Sequence, residues 1–130
     1  MTPTELPLAY AAYVDAADVD GLLGLFTPDC VLVVPDPPTR LDPVVEHRGA
    51  AGVRAALAPL ASFASTRHEV GSAEVDGSAG VVLGTAHHVL EDGTDLRWEV
   101  RYDDEYRRHG DGWLIARRAV TALSIERIRP

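Results

Sequence analysis

The second half of the chain sets the tightest limit on what it can fold into. Four β-prone runs, Thr66 to Val75, Gly80 to Leu90, Leu96 to Arg108 and Trp113 to Arg127, are separated by Asp76-Gly77, Asp92-Gly93 and Gly110-Asp111-Gly112. Runs punctuated in this way by Asp-Gly or Gly-rich turns form consecutive antiparallel strands. Within the third run, Trp98, Val100, Tyr102, Asp104 and Tyr106 share one face, and Arg97, Glu99, Arg101, Asp103, Glu105 and Arg107 share the other. The first face reads as core and the second as a solvated face laced with salt bridges.

The first half has a different period. Leu6, Ala9, Tyr10, Tyr13, Val14 and Ala17 recur at helical spacing and predict a helix over Glu5 to Ala17. Asp18 is placed to cap a second short helix that turns Leu22, Leu23 and Phe26 inward. Thr27-Pro28-Asp29 reads as a turn, Cys30 to Val34 as a strand, Val44 to Arg48 as a short strand, and Ala50 to Leu60 as a third helix. Between them, Pro35 to Pro43 holds four of the nine prolines. Such a stretch fits neither a helix interior nor a central strand, and reads as a flap beside a pocket. Helices followed by a long antiparallel meander define an α+β domain. A length of 130 residues suits one domain spanning 1–130.

Composition excludes several functions. A single cysteine, Cys30, rules out an internal disulfide framework and any multi-cysteine zinc site. Twelve basic against twenty acidic residues, a net charge of −8, argues against nucleic acid as the main partner. No segment approaches the roughly 20 apolar residues of a membrane helix, and the N-terminus lacks the features of a signal peptide, so no membrane partner and a cytoplasmic setting are expected. The five histidines lack metal-ligand spacing, and neither a Gly-rich phosphate loop nor a Gly-x-Ser-x-Gly elbow is present, so no metal and no cofactor are expected.

The residues able to carry chemistry are few. His68, at the start of the meander, is either a polar residue satisfied on a strand face or a general base, and a base needs a carboxylate to fix its second nitrogen. Asp15, near the end of the first helix beside Ala11 and Ala12, is the candidate. Tyr10 and Tyr102, each on an inward face, are either core aromatics or hydrogen-bond donors to a substrate oxygen. His87 and His88 are adjacent on a strand, so only one faces inward. The same holds for Arg117 and Arg118. An inward arginine would hold an anionic substrate or pair with Asp104 or Glu91. Tyr13, Glu91, Trp98, Asp104 and Arg117 are taken as the candidate substrate contacts.

Four blocks in order resemble one family. The run from Tyr10 to Val31, with Asp15, Asp18, Asp20, Phe26 and Asp29, is similar to the opening helices of SnoaL-like proteins of the nuclear transport factor two-like superfamily. Gly49 to Val53 resembles their glycine-led third helix, Thr66-Arg67-His68 their histidine-bearing strand, and Arg101 to Ile115 their final hairpin. The resemblance implies a cone-shaped α+β barrel, with three N-terminal helices on a strongly curved, mostly antiparallel sheet that encloses a pocket. It also implies a homodimer or homotrimer. The branch with scytalone dehydratase, bile-acid dehydratase and hexachlorocyclohexane dehydrochlorinase is the most similar. In that branch an Asp–His pair abstracts a proton, and Asp15 and His68 match that pair. Tyr10 matches a first-helix tyrosine that contacts substrate oxygen, Tyr102 falls near an oxyanion donor, and Glu91 falls near a second acidic or histidine position. Val34 stands where ketosteroid isomerases carry their base and cannot take a proton. The implied function is a cofactor-free dehydratase, double-bond isomerase or cyclase acting on a hydrophobic oxygenated ring metabolite, such as a polyketide or steroid-like compound. The alternative is a non-catalytic small-molecule-binding or oligomerisation module of the same fold.

Overall fold

The computed structural model describes residues 1–42 and 44–130. In chain order the elements are α1 (Leu6–Asp15), α2 (Val19–Leu23), β1 (Phe26–Pro35), β2 (Val44–Arg48), α3 (Gly49–Leu57), a short 3-10 helix (Ala58–Ser62), β3 (Ser65–Asp76), β4 (Ala79–Val89), β5 (Asp95–His109) and β6 (Gly112–Ile128). All six strands form one sheet in the order β2-β1-β6-β5-β4-β3. Every pairing is antiparallel except β1 with β6, which is parallel. This is the expected α+β class, and the four meander strands lie within one or two residues of their predicted bounds. In the two-residue turns after β3 and β5, Gly77 and Gly110 take φ of +60° and +58°, a region that costs L side chains energy.

Three boundaries differ from the sequence expectation, each for a local reason. Thr27-Pro28-Asp29 is not a turn; it lies inside β1. The register of β1 on β6 shifts between Phe26 and Val31, and that irregularity accommodates a proline that has no N–H to give the ladder. The first helix stops at Asp15, with Ala17 at φ +54° just beyond. The third helix ends at Leu57, and Pro59 opens a tighter 3-10 turn in its place. Of the proline-rich segment, Pro35 closes β1, residues 36–42 form a loop, and Pro43 lies outside the described residues.

The helices bring the two ends of the sheet together. α1 packs on β3 at one edge, and α3 packs on β1 and β2 at the other. From α1, Tyr10 reaches both Phe26 of β1 and Tyr102 of β5, with ring centroids 6.3 and 6.2 Å apart. β1 and β3 lie four strand spacings apart, about 19 Å across a flat sheet, yet Leu32 and His68 border one small cavity, so the sheet bends around the helices. The core fills this concavity with Leu6, Leu22, Leu32, Val53, Val82 and Ile115, all fully buried. The second helix is held at its start by Asp18, whose carboxylate accepts from the Gly21 N–H at 2.9 Å. Asp18→Ala is expected to cost about 1 kcal/mol, read as a lower urea midpoint at unchanged slope.

Candidate active site

Residues of α1, β3, β4 and β5 converge on one cavity under the helices. Asp15 ends α1, directly after buried Val14 and one turn beyond buried Ala11, and there meets the start of edge strand β3. Three donors from β3 hold its carboxylate. The His68 ring Nδ1 lies 2.6 Å from Oδ1, Thr66 Oγ1 donates to the same oxygen at 3.1 Å, and the His68 backbone N–H donates to Oδ2 at 2.8 Å. Burial disfavours the Asp15 charge. The hydrogen bonds from the His68 ring and amide, the His68 charge and Thr66 outweigh that, and hold the carboxyl below its ordinary value. An ionised Asp15 fixes the proton on Nδ1 and leaves the Nε2 lone pair free. His68 lines the cavity, and its Nε2 has no protein partner among the described residues.

The remaining wall is apolar with a few polar tips. Leu32, Val34, Ala56, Leu57, Ala86, Val100 and Val120 supply most of it, and the volume is about 50 Å³. Pro35, Asp36 and Pro38 close one side, so the proline-rich segment does border the pocket. Tyr10, Trp98 and Tyr102 also line it. Among the described residues no hydrogen bond reaches either phenolic O–H, and the Trp98 indole N–H is buried without a partner. Burial pushes both phenols up from their ordinary range, opposed by the nearby Arg118 charge.

The structure also separates the candidates. Tyr13 faces a neighbouring groove between α1, α2 and α3, not the cavity. Glu91 is exposed in the β4–β5 turn, away from the cavity. Asp104 is buried but fully engaged: Arg118 Nε donates to Oδ1 at 3.0 Å and the Tyr106 hydroxyl to Oδ2 at 2.8 Å. Arg117 lies on the outer face near Glu46, N to O 3.6 Å, and the inward arginine is Arg118. The cause is a bulge. Ile115 pairs with Tyr106 while Arg117 pairs with Glu105, so β6 carries an extra residue there. Counting in twos from buried Ile115 reaches Arg117, and the extra residue moves the inward position on to Arg118.

His88 was not singled out by sequence reasoning, although alternation from buried Val82 and Ala86 points to it. It lines the cavity at 2% exposure, its ring packs on Trp98, Phe63 and His68, and its Nδ1 lies 3.2 Å from the Leu96 carbonyl. Burial, with the His68 charge second, lowers its pKa from 6.5 to about 4. The unfolded chain therefore takes up a proton at pH values where the folded one does not. Stability falls as pH drops below 6.5 and levels off below about 4, by about 3 kcal/mol from this residue. In His88→Gln the loss of unfolding free energy across that window should shrink by this amount. His87, on the outer face, is tied instead to Asp95, with Nδ1 2.7 Å from Oδ2. Among the described residues no group of three His, Cys, Asp or Glu could hold a metal ion, and no helix is long and apolar enough to cross a membrane.

The fold is shared with solved structures. The hexachlorocyclohexane dehydrochlorinase LinA-type3 of Novosphingobium barchaimii LL02 is 11% identical with a TM-score of 0.80, over 96% of this chain and 86% of that one. TerC, co-crystallised with polyporic acid, is 22% identical with a TM-score of 0.74, over 92% and 89%. The Kfla4162 protein of Kribbella flavida is 23% identical with a TM-score of 0.73, over 95% and 89%. No curated protein matches the chain. The SnoaL-like domain model matches residues 4–119, nearly the whole of the cavity-forming fold, and the chain belongs to that family.

Proposed function

We propose that the cavity is the active site of a lyase or isomerase that works by proton transfer, with His68 as general base. The observation that carries this reading is the contact of 2.6 Å between His68 Nδ1 and Asp15, on a histidine that lines an apolar cavity. Nε2 takes a proton from a carbon next to a carbonyl or opposite a leaving group. Asp15 holds the tautomer and stabilises the imidazolium. The electron pair moves to the substrate oxygen, which accepts from Tyr10 or Tyr102, or it expels a hydroxyl that leaves as water with the proton returned by the imidazolium. Dehydration, double-bond shift and ring closure all begin with this step. The apolar wall supports a hydrophobic oxygenated ring compound as substrate, and the ligand held by TerC, a protein of the same fold, supports a small-molecule role. Exposed Leu83 and Leu123 on the uncovered outer face of the sheet support association of copies into a homodimer or homotrimer.

A void of about 50 Å³ holds only a few waters. A ring-sized substrate therefore requires Pro35, Asp36 and Pro38 or the 3-10 residues Pro59 and Leu60 to give way. A second reading, a binding module that performs no chemistry, is supported by the same apolar wall, which would hold a ligand whether or not it reacts. The two are separated by incubating the protein in D2O with a panel of enolisable ring ketones and β-hydroxy carbonyl compounds. Deuterium appearing at the carbon next to the carbonyl, above the buffer rate and dependent on His68, is expected of the enzyme. Ligand binding without exchange across the panel would establish the module.

A further inference from the structure

Beneath the two cavity-lining phenols sits a charge that the proton-transfer scheme does not use. Arg118 is 1% exposed, and its guanidinium carbon lies 3.8 Å from the Tyr102 ring centroid and 4.3 Å from that of Tyr10. It is thus clamped between the two rings, each within cation–π range. Asp104 binds it at Nε only. Both terminal nitrogens are buried and have no hydrogen-bond acceptor among the described residues. A guanidinium that has an acceptor on one side only directs the rest of its positive charge at what lies on the other, here the two ring faces. Asp104 is itself held by Tyr106, so the cation cannot turn away.

We propose that Arg118 is a positioning residue that turns Tyr10 and Tyr102 into a paired oxyanion hole, holding both rings in place and strengthening both O–H groups as donors. This rests on the reading of the cavity as a proton-transfer site. Arg118 does not line the cavity and need not touch the substrate. It acts where negative charge develops on a substrate oxygen, since that charge draws on the phenol protons and the cation behind the rings compensates for it. Its positive charge already opposes the upward push that burial gives both phenols. Two apolar-lined tyrosines without such a charge would be weaker donors in so dry a setting.

The test uses 4-nitrophenol, whose ionised form is yellow and mimics an enolate. The whole protein is titrated with the probe over a pH series, and the affinities of the ionised and neutral forms are compared. The unaltered protein is expected to prefer the phenolate, and Arg118→Met to lower that preference by about tenfold or more. Arg118→Lys, which keeps a cation, should restore part of it. If Arg118→Met does not fold, Arg118→Met with Asp104→Asn removes both charges without stranding a carboxylate, and the same loss is expected. An unchanged preference in a folded variant that lacks the cation overturns the proposal, as does a lack of preference in the unaltered protein. Failure of the general-base reading is seen separately, as deuterium exchange that survives His68→Ala, and the probe does not depend on that exchange.

Discussion

His68→Ala is expected to lower deuterium exchange into an enolisable ring ketone by about 10²- to 10⁴-fold, the usual share of a positioned general base. The protein should remain folded, because the ring is bonded only to Asp15 while the strand's backbone N–H still reaches that carboxylate. Asp15→Asn should fall in the same direction for another reason. The amide no longer favours the proton on Nδ1 nor balances the imidazolium, so the base is present in the wrong form. A loss in kcat with little change in KM is the pattern expected of a group that acts in the transition state. Exchange by His68→Ala at the rate of the unaltered protein would remove the dyad from the mechanism. Binding of 4-nitrophenol by the same variant would show at once that the cavity had stayed intact.

Asp104→Ala is expected to destabilise the domain by about 3–5 kcal/mol, because it leaves the Arg118 charge buried and unpaired. Both side chains of the pair are essentially inaccessible, and the Tyr106 hydroxyl loses its acceptor as well. Against a typical total of about 5–15 kcal/mol, that is a large fraction. Asp104→Asn keeps an acceptor for Nε and should cost visibly less, so the difference between the two in urea unfolding isolates the stranded charge. Equal losses would show that shape and not charge holds this part of the core. Burial raises the Asp104 carboxyl above its ordinary range, while Arg118 and Tyr106 draw it back.

The sequence made the sheet legible because its strands alternate and its turns carry Asp-Gly, signals that depend on neighbours in the chain. The Asp15–His68 contact joins residues 53 apart in sequence. It was reachable only as the bland-or-catalytic choice that the residue types allow, together with a family resemblance. Thr66, the third holder of Asp15, gave no signal of its own, since a threonine at a strand start is ordinary. His88 was open to the same alternation argument that placed Trp98 and Tyr102. What remained out of reach was the inward arginine. Nothing local in Leu114-Ile115-Ala116-Arg117-Arg118 marks where an extra residue will be taken up, because the bulge is set by how β6 must follow its partners on both sides.

That bulge has a bearing on how this strand tolerates change. Along β6 the sequence works as a frame of period two, and the extra residue between Ile115 and Arg117 resets it. Deleting Ala116 would remove the extra residue and leave every later side chain on its present face, because Arg117 would still oppose Glu105 and Arg118 would still oppose Asp104. Arg118 and Val120 would stay inward, and Arg117 and Ala119 outward. A one-residue deletion here would therefore leave the inner and outer surfaces of the strand as they are, whereas a deletion at Ala119, with the extra residue kept, would turn Val120 outward. Relatives one residue shorter at this point keep the same side chains on the inner face of the sheet.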